Sequence, residues 1–287
     1  MMTIKEAITA LLQTLAPVYD RRESRSMADL YLQYLTGLRR IDLLVYSDRT
    51  LTEAQQALLQ ADLPRFATAT PLQYITGQAW FGPLQLEVNP AVLIPRPETE
   101  ELCVWIAGTL KDSRLQQPAI LDIGTGSGCI PLYLKHELPG ASVMGWDISA
   151  AALATAGRNA ARHNLALVLE QKDVLQPGAW TGPLLDVIVS NPPYITVAEK
   201  VTLHNNVLEH EPHLALFVTD NDPQQFYKAI HHLGQTALKP GGYLFFETHA
   251  DFGPGTEKLL LDSGQYSEVL LRNDMQDNPR MIRATKK

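Results

Sequence analysis

Only 2 cysteines occur among the 287 residues, Cys103 and Cys129, and neither sits in a CxxC or other metal-ligand spacing. That excludes a disulfide scaffold and a zinc-ribbon site, and no bound metal is expected. Cysteine this sparse fits a reducing cytoplasm, with both thiols serving as small apolar packers. Long apolar runs are missing too: none reaches the ~18 residues that a membrane span requires. The N-terminal stretch MMTIKEAITALLQTLAPVYD is broken by Lys5 and Glu6 and has no basic leading region, so it is expected to form an amphipathic helix and not a signal peptide. Positive charge is in deficit, with a formal net charge of −7. A protein whose main partner is a nucleic-acid backbone depends on basic stripes, and none is visible, so no direct nucleic-acid binding is expected. There is no internal repeat, no low-complexity segment and no separate oligomerisation segment, and a monomer is expected.

What is present is an ordinary globular composition, 45% apolar and 19% charged, long enough for one large domain or two. Residues 1–70 read as a small helical domain. Thr3 and Glu6 have capping-box spacing, and Ile4, Ile8, Leu11, Leu12 and Leu15 recur at helical intervals. A second pattern over 26–38 places Met27, Leu30, Tyr31, Tyr34 and Leu35 on one face. A third opens near Thr52, with Gln55 three residues on. Residues 71–97 are punctuated by Gly77, Gly82, Pro83, Asn89 and Pro90, which predicts a hairpin and linker. From residue 98 to 287, strand-like and helical segments alternate: AILDIG, SVMGWDI, ALVLEQKD, LLDVIVS and PGGYLFFETH are strands, and the tail YSEVLLRNDMQDNPRMIRAT is a closing strand pair. Alternation of this kind predicts an α/β domain with a doubly wound, Rossmann-like parallel sheet.

The first chemical marker is LDIGTGSGCI. Gly124, Thr125, Gly126, Ser127 and Gly128 lie between a strand and a helix, where the backbone turns sharply and a ligand can approach closely. Asp147 ends the next strand, in the place where an acid accepts hydrogen bonds from ribose hydroxyls; the alternative is a cap on the following helix, for which Ser149 is better placed. The third glycine comes one residue too early for G-x-G-x-x-G. This favours S-adenosyl-L-methionine over NAD but leaves both open. Asp173, at the end of the third strand, is placed either to receive an adenine amino group or to serve as an ordinary loop acid, with Val174 beside it.

The second marker is VIVSNPPYIT. Two prolines end the ladder of an apolar strand, and the residue before them is pushed to an extended conformation, so Asn191 stands at the strand tip with its amide free. A planar amide nitrogen is a poor nucleophile because its lone pair is delocalised. To methylate one, a site must hold both N–H groups and aim the lone pair at an electrophilic methyl. The Asn191 side-chain oxygen and the Pro192 carbonyl can accept one N–H each. Pro193 stiffens that carbonyl, and the Tyr194 ring can lie against the planar group. Positioning of this sort lowers barriers by up to ~7–11 kcal/mol in the best cases.

NPPY behind a D-x-G-x-G-x-G turn resembles the amino-methyltransferases that act on adenine, guanine or glutamine nitrogens. PLQYITGQAWFGPLQLEVNPAVLIPRPETEEL, LEHEPHLALF and LKPGGYLFFE are similar to the HemK/PrmC family, the glutamine methyltransferases of peptide chain release factors, from about residue 70 to the C-terminus. The resemblance implies a class I methyltransferase fold. It also implies methyl transfer from S-adenosyl-L-methionine to the side-chain nitrogen (N5) of the glutamine in the Gly-Gly-Gln loop of class 1 release factors. Carried over by motif, Gly124–Gly128, Asp147 and Asn191 contact the cofactor. Asn191, Pro192, Pro193 and Tyr194 receive the glutamine, and the helices of 1–70 dock on the release factor. Arg96, Thr99 and Glu100 either border the cofactor pocket or form an ion-paired, capped helix start.

The chain departs from the family pattern at two points: Val174 replaces an aromatic, and ETHADFG follows the last parallel strand where relatives carry glycine and glutamine. Glu247 and His249 are therefore without an assigned role. Rival readings are a glutamine methyltransferase of a ribosomal protein, whose lead-in reads more like P-R-S-P; a DNA adenine methyltransferase, which needs a basic face; a non-catalytic S-adenosylmethionine sensor; and an NAD-linked oxidoreductase.

Overall fold

The computed structural model describes residues 2–113, 115–176 and 180–287. They divide into two compact units, Met1–Gln78 with His204–His210, and Ala79–Leu203 with Glu211–Lys287.

The smaller unit is helical: Ile4–Leu15, Arg21–Thr36, Arg40–Val45, Glu53–Ala67 and Leu72–Thr76. Both predicted capping boxes form, Thr3 with Glu6 and Thr52 with Gln55, each side chain satisfying a backbone donor that the first helical turn leaves free. The second helix begins earlier than its apolar pattern suggested, at Arg21, because Asp20 caps the Glu23 amide at 2.8 Å. It ends where Gly37 takes a left-handed conformation. Its buried stripe is also shifted: Tyr31, Leu32 and Leu35 point inward, whereas Leu30 and Tyr34 are exposed. Tyr31 meets Phe66 edge-on at 5.1 Å, and its hydroxyl donates to Asp62 at 2.8 Å, so the aromatic body is dry and its polar end has a partner.

The larger unit is built on seven strands: β1 (Ala119–Ile123), β2 (Ser142–Asp147), β3 (Val168–Gln171), β4 (Leu185–Ser190), β5 (Leu238–Glu247), β6 (Tyr266–Asn273) and β7 (Pro279–Lys286). Their spatial order is β6-β7-β5-β4-β1-β2-β3. The five strands β1 to β5 run parallel, and the closing pair adds antiparallel at one edge. Every residue of β4 is buried, as a central strand covered on both faces requires. The two faces alternate along the chain: Ile120, Val187, Val189 and Phe245 enter one core, Leu121, Ile188, Leu244 and Phe246 the other. The predicted hairpin forms from Gln78–Phe81 and Leu84–Glu87, and its Phe81, Leu84 and Leu86 pack into the first of these cores. Among the described residues, the helices Arg40–Val45, Asn205–Leu208, His213–Leu216 and Gly253–Asp262 had no counterpart in the sequence reading, and Leu72–Thr76 is helical where a hairpin and linker were expected.

The chain enters the sheet at its centre, moves outward through β2 and β3, then returns to the other side of β1 with β4. This reversal is a topological switch point, and in open parallel sheets ligands bind beyond the carboxyl ends of the strands on either side of it. The glycine turn follows β1 and Asn191 follows β4. The two markers therefore flank that point, with Ile123 and Ser190 as register partners and the Ser190 hydroxyl donating to the Ile123 carbonyl at 2.6 Å.

Candidate active site

A cavity of about 340 Å3 opens at this edge, within the size range of small-ligand sites. Its floor is the glycine turn. Gly124, Gly126 and Gly128 have φ of 77°, 53° and 81°, a region that L side chains rarely adopt. A Cβ on Gly124 would lie 4.0 Å from the Asn191 carbonyl oxygen, so the turn and the NPPY tip approach backbone to backbone. At Gly128 the constraint is steric as well, since a Cβ would come within 3.1 Å of the Ala156 Cβ. Gly128→Ala is expected to lower stability by about 1–2 kcal/mol through the left-handed backbone alone, read as a drop in Tm.

Asp147 holds the turn: its Oδ2 accepts from the Gly126 amide at 2.8 Å and its Oδ1 from the Ser149 amide at 2.9 Å. Burial raises its pKa, and these backbone donors oppose the rise. Ser149 itself caps the following helix through the Ala152 amide at 3.2 Å, so Asp147 is not needed as the cap, and it lines the cavity. The Thr125 and Ser127 hydroxyls are buried and complete no hydrogen bond among the described residues. Asp173 and Val174 lie in the loop just beyond β3 and also line the cavity; an Asp173 oxygen accepts from the Leu175 amide at 2.9 Å.

The opposite wall is Asn191, Pro192 and Pro193. The Asn191 Nδ2 donates to the Thr99 hydroxyl at 3.0 Å, and Thr99 in turn donates to Glu247 Oε2 at 2.5 Å. Tyr194 does not line the cavity. Its hydroxyl reaches Glu247 Oε1 at 3.3 Å, and its ring lies 5.8 Å from that of His249. Burial raises the Tyr194 hydroxyl well above the tyrosine range, and the Glu247 charge adds to the rise. Burial also pushes Glu247 up to about 7, against the Thr99 hydroxyl and the Arg280 guanidinium, which favour its anion.

Family-level comparisons bear on what this geometry serves. The family model for the PrmC N-terminal domain matches residues 6–77, and that for the methyltransferase small domain matches residues 106–215. A curated release factor glutamine methyltransferase of Flavobacterium psychrophilum is 42% identical over 283 residues, covering 98% of this chain and 99% of the relative. A second, from Bacteroides thetaiotaomicron, is 38% identical and covers 97% and 99%. The chain belongs to the release factor glutamine methyltransferase family. Among solved structures, the delta-N METTL16 methyltransferase domain superposes with a TM-score of 0.50 at 18% identity, covering 72% of this chain and 89% of that one, a likeness of fold.

In this family member, the structure brings together Gly124, Thr125, Gly126, Ser127, Asp147, Asp173, Val174, Asn191, Pro192 and Pro193 around one cavity, and leaves Gly128 and Tyr194 just outside its lining. Arg96 and Thr99 line it as well. Arg96 is at the same time ion-paired with buried Glu211, whose other oxygen accepts from the Ile94 amide at 3.2 Å. Glu100 does something else, accepting from the Gly82 amide at 2.9 Å in the hairpin turn. The thiols behave as packers: burial raises Cys103 and pushes Cys129 up to about 12. His231 is occupied by the Tyr266 hydroxyl at 2.8 Å, and His249 sits between the Tyr194 and Phe252 rings. Sequence reasoning missed Phe226, Ile230, Pro212 and Leu214 in the lining. The last two fall in the family-like segment LEHEPHLALF, which was the one available signal.

Proposed function

We propose that this protein transfers a methyl group from S-adenosyl-L-methionine to the side-chain nitrogen (N5) of the glutamine in the Gly-Gly-Gln loop of class 1 peptide chain release factors. The observation that carries the reading is the NPPY tip facing a glycine-turn cavity across a switch point, with the Asn191 amide nitrogen already engaged by Thr99. That engagement leaves the Asn191 oxygen as the acceptor for a substrate N–H, and the Pro192 carbonyl takes the second. With both N–H groups held, the substrate amide plane is fixed and its nitrogen faces the cavity, while Pro193 keeps the carbonyl from swinging away.

The cavity suits S-adenosyl-L-methionine on the chain's own chemistry: orphaned Thr125 and Ser127 hydroxyls, a side-chain-free turn and a half-buried carboxylate at Asp147. When bound, this cofactor supplies a methyl made electrophilic by its sulfonium. Gly124–Gly128 would accommodate it, Asp147 would take the ribose hydroxyls, and Asp173 with Val174 would border the adenine. The helical domain 1–70 supplies the docking surface for the release factor, supported by the exposed Leu30, Ile41, Leu44, Val45 and Tyr46 on the smaller unit. Residues 71–97 link it to the methyltransferase domain 98–287, and the enzyme works as a cytoplasmic monomer.

Transfer of label from S-adenosyl-L-methionine to a purified release factor tests this. Label is expected on the intact factor and absent from one whose loop glutamine is changed to alanine. Label that instead appeared on a ribosomal protein would keep the chemistry and replace the substrate.

A further inference from the structure

Glu247 is the last residue of β5, 1% exposed and absent from the cavity lining, yet one of its carboxyl oxygens meets Tyr194 of the NPPY tip and the other meets Thr99, the partner of Asn191. Oε2 accepts from Thr99 at 2.5 Å and Oε1 from Tyr194 at 3.3 Å. A hydroxyl has one proton to give. Thr99 accepts from the Asn191 Nδ2 at 3.0 Å and spends its own proton on Glu247, so the chain of donation runs one way, Asn191 to Thr99 to Glu247. A carboxylate donates nothing, and this is what fixes the direction. A protonated Glu247 would offer Thr99 a competing donor, and the chain would lose its sense. The direction matters because an amide has two faces that look alike in shape and opposite in chemistry. With Nδ2 tied to Thr99, Oδ1 is left for the substrate; with the amide turned over, a donor would face a donor.

We propose that Glu247 is a positioning residue for amide methylation, setting the Asn191 amide through Thr99 and anchoring Tyr194 directly. The proposal rests on the reading of Asn191 as the group that receives the substrate amide. Glu247 thus holds both ends of the NPPY motif from behind, without touching cofactor or substrate.

The groups that face Glu247 are Thr99, Glu98 and Cys103 from the helix Pro97–Asp112, Cys129 from the helix Cys129–Glu137, Arg280 from β7, Tyr194 from the tip, and Tyr227 from the helix Gln225–Ala237, whose hydroxyl donates to the Glu247 backbone carbonyl at 3.3 Å. Burial and Glu98 favour its neutral form; Arg280, Thr99 and Tyr194 favour the anion. The balance places its titration near neutrality, with the competent, ionised form on the alkaline side. Wild-type kcat is therefore expected to fall as pH drops below about 7.

The experiment uses the full-length enzyme with the release factor as substrate, comparing wild type, Thr99→Val, Thr99→Ser, Glu247→Gln and Asn191→Ala. Thr99→Val keeps the side-chain shape and removes the hydroxyl. It is expected to lower kcat about 10–100-fold, with KM for both substrates within threefold. Thr99→Ser restores the hydroxyl and most of kcat. Glu247→Gln is expected to lower kcat and flatten the profile between pH 6 and 8. A separate readout needs no turnover: the Asn191 side-chain amide resonance, assigned by its loss in Asn191→Ala, should shift with pH near neutrality in wild type and stay fixed in Thr99→Val. A merely structural Glu247 would lower Tm without flattening the profile or decoupling that resonance. Unchanged kcat in Thr99→Val beside an inactive Asn191→Ala would overturn the positioning role alone. A wild-type enzyme that labels no release factor would overturn the substrate reading, and the resonance would still decide whether the relay orients Asn191.

Discussion

Asn191→Ala enzyme is expected to bind S-adenosyl-L-methionine within a few-fold of wild type and to methylate the release factor about 100–1000-fold more slowly. The magnitude is that of removing one preorganised hydrogen-bonding group from a site where charge shifts in the transition state, about 3–4 kcal/mol. Asn191 earns it by position. It follows a wholly buried strand, the proline after it favours an extended backbone, and its carbonyl oxygen abuts the glycine turn at the distance where a Gly124 side chain would touch. Its side chain adds little to stability, being only partly buried and joined to Thr99 by one hydrogen bond. Removal should therefore leave Tm nearly unchanged while transfer collapses. Single-turnover rates with preloaded cofactor separate the two effects. A slow chemical step with an intact cofactor Kd supports the assignment. A lost cofactor Kd with a normal step would make Asn191 a cofactor ligand and leave amide positioning to the Pro192 carbonyl.

How much of this was legible depends on sequence distance. Thr3 with Glu6 and Thr52 with Gln55 could be read directly because a capping box is complete within four residues. The glycine turn and NPPY were legible for a related reason: each is a local backbone device whose residue types admit few alternatives. The helix Gly253–Asp262 was missed because it starts in GPG, which punctuates chains more often than it opens helices. Arg40–Val45 was missed because it is six residues long and buries only Leu43. The acids were hardest. Glu247 reaches Thr99 across 148 positions, and Glu211 reaches Arg96 across 115, so nothing near either residue announces its partner. Only the sheet order, which sets β5 beside β4, brings Glu247 behind the NPPY tip.

Asp122→Asn is expected to stabilise the larger unit by about 4 kcal/mol at pH 8 and by almost nothing near pH 4. Asp122 lies in the middle of the sheet, its register partners being Gly145 on β2 and Val189 on β4. It is fully buried, and neither carboxyl oxygen completes a hydrogen bond among the described residues. Burial pushes its pKa up to about 7, the Asp147 charge pushes the same way, and the nearby Thr125 hydroxyl opposes them. In the unfolded chain the same carboxyl ionises near ~3.9. Below that value both states are protonated and the native state bears no charge penalty. As pH rises, the unfolded chain releases its proton first and stability drains away, until the native state ionises as well at about 7. Asparagine has the shape of the neutral acid at every pH and so escapes the loss. All four tryptophans, Trp80, Trp105, Trp146 and Trp180, lie in the larger unit, so their fluorescence follows its unfolding without contribution from the helical one. By that signal the variant should melt about 10 °C above wild type at pH 8, with the gap closing as the pH is lowered. Equal melting at pH 8 would mean that buried water or a bound group satisfies Asp122 in the native state. The unpaired carboxyl would then be no burden, and its place beneath the glycine turn would be explained by solvation.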